Sequence, residues 1–148
     1  MKKTLLILMG CPGSGKSTYA DKVATRLNRM FGLRVAVCCA DDFFINNQGQ
    51  YNFDRTKLGA AHDYCRDQAR KNMRSGCNLV IIANTSVSHK ERLPYIEMAK
   101  EWDYRIKQKL IGGVEEADVE LYFKRNVHGV PLATIKSMAE RIKSGMKK

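Results

Sequence analysis

The run Gly10-Cys11-Pro12-Gly13-Ser14-Gly15-Lys16-Ser17 sets its outer glycines, a lysine and a serine at the spacing of a loop built to hold phosphate. Glycines let backbone N–H groups turn inward around phosphate oxygens, and a helix starting at the end of the loop adds its positive dipole end. Lys16 is expected to reach the β- and γ-phosphates of a nucleoside triphosphate, and the Ser17 hydroxyl to hold magnesium. Thr18 reads as a backbone cap or a further nucleotide contact. A chance match in a glycine-rich turn is the competing reading. An apolar run before the motif and a helical pattern after it argue against that, because the mechanism demands this context.

A second group follows another apolar run. Asp41-Asp42 ends it, so the first carboxylate is expected to project into the crevice that holds the phosphates. There it can orient an acceptor hydroxyl and take its proton as a phosphoryl group moves. A helix cap or a solvated turn is the alternative. Arg66, Arg70 and Arg74 recur every fourth residue, on a face that either tracks a strand's phosphates or meets only solvent. His62 shares a helical stripe with Leu58, Cys65 and Ala69, and reads as a hydrogen-bonded core histidine.

The elements that must position these groups follow from periodicity. Thr4–Met9 reads as a buried strand. Tyr19, Ala20, Val23, Ala24, Leu27 and Met30 trace a helix stopped by Gly32. Val35–Ala40 is a second buried strand, and a polar stretch from Asp41 to about Asp54 leads to a helix from about Thr56 to Arg74. Leu79–Ala83 is a third strand. Ser88 and Glu91 have capping-box spacing ahead of a helical face of Leu93, Ile96, Ala99 and Trp102 that contains Pro94. Tyr104–Ile111 alternates, as a strand near a sheet edge does. Two helices, about Glu115–Arg125 and Leu132–Lys143, close the chain, with Pro131 suited to a first turn. Strands alternating with helices predict a parallel sheet covered on both faces, with ligands beyond the carboxyl ends of its strands.

The 148 residues suit one α/β domain, and 44% hydrophobic with 28% charged residues is a globular composition. The formal charge of +11, from 26 Lys and Arg against 15 Asp and Glu, favours polyanionic partners, nucleic acid foremost. Five cysteines without CxxC or metal-like spacing predict reduced thiols in a cytoplasmic protein. The apolar run after Lys2-Lys3 lasts only from Leu5 to Met9, which predicts a strand rather than a signal peptide. No run approaches the ~20 apolar residues of a membrane span, so no membrane partner is expected.

Together these motifs resemble the P-loop 5′-polynucleotide kinases of bacteriophage type and related short ATP-binding kinase domains. The likeness runs through Gly10–Thr18, Asp41-Asp42-Phe43, Tyr51 to His62, Asn84-Thr85, Lys124-Arg125-Asn126 and His128–Pro131, nearly the whole chain. It implies one kinase domain over residues 1–148, of α/β class: a P-loop NTPase-type three-layer fold with a short, about four-stranded parallel sheet and a C-terminal helical lid. It further implies ATP with Mg2+ as donor and a nucleic-acid 5′-hydroxyl end, DNA or RNA, as acceptor, in nucleic acid repair. Asp41 takes the place of the family's general base. Arg125 becomes the phosphate-stabilising arginine of the lid and, with Gly10, Cys11, Pro12, Gly13, Ser14, Gly15, Lys16, Ser17 and Thr18, contacts the nucleotide. The chain departs from the pattern at Ala83, where relatives often carry Asp, at His128-Gly129, near the place of a second lid arginine, and at Phe44. The phage enzyme grips a substrate phosphate with arginine at that last place; an aromatic there can stack on a base. Two alternative functions remain open: a small-metabolite or nucleotide kinase, and a nucleotide-gated binding module with little turnover, the latter motivated by Ala83.

Overall fold

A computed structural model of the chain describes residues 2–86, 88–125 and 129–146. Four strands, β1 (Thr4–Met9), β2 (Val35–Cys38), β3 (Leu79–Ile82) and β4 (Arg105–Leu110), make one sheet in the order β2-β3-β1-β4, all neighbours parallel. Five α-helices accompany them among the described residues: α1 (Lys16–Phe31), α2 (Leu58–Arg74), α3 (His89–Glu101), α4 (Glu116–Arg125) and α5 (Leu132–Met146). This is the expected α/β P-loop fold with a four-stranded parallel sheet. None of the described helices is long and apolar enough to cross a membrane.

The central strands are apolar on both faces because both faces are covered. Leu5, Ile7, Val80 and Ile82 point to the side where α2 contributes Ala61, Cys65, Ala69 and Met73, and α3 contributes Tyr95, Met98 and Ala99. Leu8, Leu79 and Ile81 point to the other side and meet Ala20, Val23 and Leu27 of α1. β4 differs. Arg105, Lys107, Gln108 and Lys109 are exposed and only Ile106 and Leu110 half-buried, which fits the edge position its alternation predicts. Charged side chains along an unpaired edge oppose strand addition by another chain.

Helix ends follow local chemistry. Gly32 closes α1 at φ 64°, a left-handed conformation that glycine adopts without cost. Asp54 caps a single 3-10 turn, Arg55–Lys57, by accepting from Thr56 N at 3.0 Å, so α2 starts at Leu58, two residues later than expected. The Ser88 hydroxyl accepts from Glu91 N at 3.2 Å, as the capping-box spacing predicts, and Pro94 lies inside α3. Three expected core positions are corrected. Leu58 and His62 are exposed, because the buried line of α2 runs Ala61-Cys65-Ala69-Met73 and His62 lies about 100° round the helix from Ala61. Leu93 is exposed as well, because α3 buries Tyr95, Ile96, Met98 and Ala99 instead.

The C-terminal pair α4 and α5 forms its own cluster of Val119, Tyr122, Ile135, Ala139 and Ile142, and this cluster takes in Cys11 of the glycine loop. The lid helices are therefore packed on the phosphate loop itself.

Ile81 is fully buried at the sheet centre, so Ile81→Ala should lower the unfolding free energy by about 2–5 kcal/mol. Leu93→Ala should change it by about 0.5 kcal/mol or less. Urea denaturation of both variants checks the sheet face and the corrected phase of α3.

Candidate active site

The sheet order sets β3 between β1 and β2, so the loops leaving their carboxyl ends lie side by side. Two hydrogen bonds join them. Gly10 N donates to the Thr85 carbonyl at 3.1 Å, and Ala40 N donates to Asn84 Oδ1 at 2.8 Å. The dipeptide Asn84-Thr85 thus ties the phosphate loop to the segment that carries Asp41.

Within the loop, Gly13 and Gly15 sit at φ 82° and 98°, where side chains are rarely tolerated. A Cβ on Gly13 would also come within 2.6 Å of the Tyr122 carbonyl, so glycine is what lets α4 close on the loop. Ser14 N donates to the Cys11 carbonyl at 3.1 Å, while Ser14 Oγ is buried without a hydrogen-bond partner among the described residues. Lys16 is the first residue of α1 and only 8% exposed; its Nζ donates to the carbonyls of Gly10 at 3.0 Å and Cys11 at 2.9 Å. Burial lowers its pKa from 10.5 to about 8, opposed by the negative charge available at Cys11, Cys39 and Asp41. Ser17 and Thr18 are exposed on the first turn of α1, and Pro12 is half-buried. The Cys11 thiol is enclosed by the lid cluster, and burial raises its pKa, against the pull of Lys16.

Asp41 and Asp42 lie in a 3-10 turn, Ala40–Phe44, that ends β2 at Cys38, short of the Ala40 expected from the apolar run. Asp41 is half-buried and its Oδ1 accepts from Tyr51 Oη at 3.5 Å. The Tyr51 phenol is pushed up to about 12, first by burial and then by the Asp41 charge and hydrogen bond. Asp42 is exposed, with its pKa raised by partial desolvation and then by the like charges of Asp41 and Asp21. Tyr51 reaches Asp41 because the chain doubles back: Ile45 bridges Tyr51 antiparallel, and Asn46 Oδ1 accepts from the backbone N–H groups of Gln48 and Gln50 at 2.9 Å each.

A family profile described as an AAA domain, AAA_33, matches residues 5–143, nearly the full length. The chain belongs to this AAA domain family. It is 32% identical over 142 residues to human NEDD4-binding protein 2, covering 92% of this chain and 7% of that protein. It is 31% identical over 130 residues to a candidate bifunctional polynucleotide kinase/RNA ligase of Autographa californica nuclear polyhedrosis virus, covering 84% of this chain and 18% of that protein. The domain thus spans under a fifth of the length of either relative. Among solved structures it overlays a chain of the Pnkp1/Rnl/Hen1 RNA repair complex with TM-score 0.73 at 21% identity, covering 99% of this chain and 46% of that one. It also overlays the Mycobacterium tuberculosis APS kinase CysC with TM-score 0.55 at 13% identity, covering 99% of each chain. At these identities the overlays establish a shared fold, that of P-loop kinases.

Other anticipated residues of the AAA domain fall less close to the loop. Arg125 is exposed at the end of α4, three residues beyond Tyr122, whose raised phenol pKa its charge opposes after burial and Asp118 raise it. Asn126 and His128 lie outside the described residues. Arg66 and Arg70 pair with Asp63 and Asp67 on their own helix, so two of the three α2 arginines are already partnered. Phe44, anticipated as a base-stacking residue, is buried against Phe43, Tyr51 and Phe53 and offers no free face. Ala83 packs with Leu8 and Ala20, an apolar surface where a carboxylate was expected in relatives.

Sequence reasoning included Tyr51 and Asn84 in the resemblance without giving either a role, and passed over Arg92. Arg92 Nη1 donates to the carbonyl of Ser86 at 2.8 Å, holding a turn in which Ser86 takes φ 52°. The signal for Tyr51 was present: Asn46 and Gly49 between Ile45 and Tyr51 form a hairpin-like turn.

The lowered pKa of Lys16 carries a stability signature. Between pH 8 and 10.5 the unfolded chain still binds the proton that folded Lys16 has released, so stability rises with pH across this window. Lys16→Met removes the group. Without nucleotide, the unfolding free energy of the wild type relative to Lys16→Met should increase by on the order of 3 kcal/mol as pH passes from below 8 to above 10. A pH-independent difference in urea denaturation would show that Lys16 is not held as a buried cation.

Proposed function

We propose that residues 1–148 act as a single kinase domain that transfers the γ-phosphoryl group of ATP to the 5′-hydroxyl of a polynucleotide. The observation that carries this reading is that the loop bearing Lys16 and the turn bearing Asp41 both leave carboxyl ends of the sheet and are tied together through Asn84-Thr85. The named activity of the viral relative and the RNA repair complex that shares the fold supply the polynucleotide acceptor. The +11 charge supports a polyanion as well.

The loop fits a triphosphate: left-handed glycines turn backbone N–H groups inward, Ser14 Oγ is buried without a partner, and Lys16 is placed to exchange its carbonyl partners for phosphate oxygens. No group of three or more His, Cys, Asp or Glu among the described residues is arranged to hold a metal. The residues fit Mg2+ that arrives on the nucleotide, with the Ser17 hydroxyl as protein ligand, and the bound ion would neutralise phosphate charge. In the reaction Asp41 accepts the proton of the acceptor hydroxyl as that oxygen bonds to the γ-phosphorus, and the bond from γ-phosphorus to the bridging oxygen breaks to release ADP. Lys16 and Arg125 steady the charge on the transferred group. Tyr51 orients Asp41 by its hydrogen bond.

A small-metabolite kinase is the second reading, favoured by the overlay on APS kinase along its full length. The two separate in a label-transfer screen with Mg·ATP: 5′-hydroxyl oligonucleotides should accept phosphate, while nucleosides, sugars and adenylyl sulfate should not.

Asp41→Asn retains shape and removes the base, so single-turnover transfer should fall by about 10²- to 10⁴-fold with ATP affinity within a few-fold of wild type. Asp42→Asn should cost less. A collapse of ATP binding in Asp41→Asn would instead place this carboxylate in the magnesium shell. Arg125→Ala should lower turnover by roughly 10³-fold or more and leave oligonucleotide binding little changed, measured by anisotropy beside turnover.

A further inference from the structure

The segment behind Asp41 carries four aromatic rings, Phe43, Phe44, Tyr51 and Phe53, joined in a contact network that takes in Tyr64 of α2. Phe44 is their hub: 5% exposed, it meets Phe43, Tyr51 and Phe53 edge-on with centroids 5.4, 6.1 and 5.1 Å away. Phe53 stacks on Tyr51 with the planes 13° apart and centroids 6.5 Å apart, yet it is 49% exposed. Phe43 is 37% exposed and leans on Tyr64. A buried aromatic thus holds two others at the surface, each partly exposed. Leaving such area exposed forgoes the stabilisation its burial would bring.

We infer that Phe53, with Phe43 beside it, is the platform on which the first bases of the acceptor strand stack, an inference that rests on the polynucleotide reading of the same site. Continuity with the chemistry argues for this occupant. Phe53 stacks on Tyr51, whose hydroxyl donates to Asp41, so a strand with its 5′-oxygen at Asp41 lays its leading nucleotides along these rings. Charge argues for it too: Arg55 and Lys57 are exposed in the turn just after Phe53, cations beside a ring as a strand of alternating phosphates and bases requires. Base–aromatic stacking tolerates any sequence, so the platform reads the presence of a base and not its identity. The expected effect per stacked base is about 1–3 kcal/mol, or roughly 5- to 150-fold in affinity.

The test is a cycle between protein and substrate. Wild type, Phe53→Ala and Phe53→Leu are each titrated with a labelled single-stranded 5′-hydroxyl oligonucleotide and with the same oligonucleotide made abasic at its first two positions. Binding is read by anisotropy and label transfer is followed in parallel, with ATP affinity as the check that each variant folds. For wild type, removing the bases should weaken binding by at least the roughly 5- to 150-fold expected for one stacked base. Phe53→Ala and Phe53→Leu should weaken binding of the intact strand to a similar extent and change binding of the abasic strand less than about threefold. Equal losses on both strands would overturn the platform while leaving the kinase reading in place. Coupled losses without any label transfer would sustain the platform and overturn the kinase reading. Failure of wild type to bind or phosphorylate any oligonucleotide would overturn both, and would leave the exposed rings to a protein partner.

Discussion

The proposed site depends on two hydrogen bonds from one dipeptide. Asn84 and Thr85 leave the central strand β3 and hold the backbone on either side, Thr85 through its carbonyl to Gly10 and Asn84 through its amide oxygen to Ala40. Strand β3 stands between the strand that delivers the phosphate loop and the strand that delivers Asp41. Without a tie, two loops on non-adjacent strands would be free to move apart by more than a reaction tolerates, since misplacement by about 1 Å can cost 10²-fold in rate. The Asn84 amide also donates to Cys65 Sγ at 3.5 Å, which fixes its orientation from the α2 side. The spacing between the phosphate loop and the Asp41 turn is therefore set by the sheet and its cross-ties, with helices α2 and α3 as backing.

Lys16 shows what the phosphate loop costs the fold. An ammonium beneath the protein surface loses hydration, and two backbone carbonyls restore only part of it, as the lowered pKa records. A phosphate-bearing ligand offers that ammonium more than the carbonyls do, so part of the binding energy is the relief of an unfavourable charge. Stability and function pull in opposite directions at this residue, a common condition of active sites. The same economy explains Ala83. With no carboxylate there, the wall beside α1 packs as core, and under the proposed function magnesium would be held by the Ser17 hydroxyl and by the nucleotide's own phosphates.

Much of this was legible in the sequence, for reasons that can be named. β1 is a strand from Thr4 to Met9 as its apolar run indicates, because both its faces are buried and nothing polar interrupts them. The Ser88 cap and the Gly32 stop were readable because each is decided within three or four residues. Contacts between distant residues were not readable: the Asn84 bond to Ala40 spans 44 positions, and nothing local marks it. Tyr51 sat in a stretch that read as polar connection, although its turn chemistry indicated a return of the chain. Phe44 was misjudged because it was placed by resemblance, as the counterpart of an exposed arginine, whereas the 3-10 turn over Ala40–Phe44 turns its ring into the core. His62 and Leu93 failed because a helical stripe wide enough to include them leaves its phase open by one residue.

The placement of the two halves of the site has a further consequence. The phosphate loop, Asn84-Thr85 and the lid helices are bound to the central strands and to each other, so the donor side tolerates little change: Gly13 touches Tyr122, and Cys11 is sealed in the lid cluster. The acceptor side is carried by the other edge strand, β2, and by a segment that closes on itself through Asn46 and the Phe44 ring cluster. The inner part of that segment is anchored to the sheet core and to α2 through Ala40, Phe44 and the Phe43–Tyr64 contact, whereas the turn from Asn46 to Gln50 is exposed. A shared fold does not fix the acceptor, which depends on the side chains a particular chain presents at the site. In this chain the segment between Asp41 and Lys57 holds a carboxylate, a tyrosine hydrogen-bonded to it, two partly exposed phenylalanines and two exposed cations, a combination of aromatic and basic groups that suits the proposed strand of bases and phosphates.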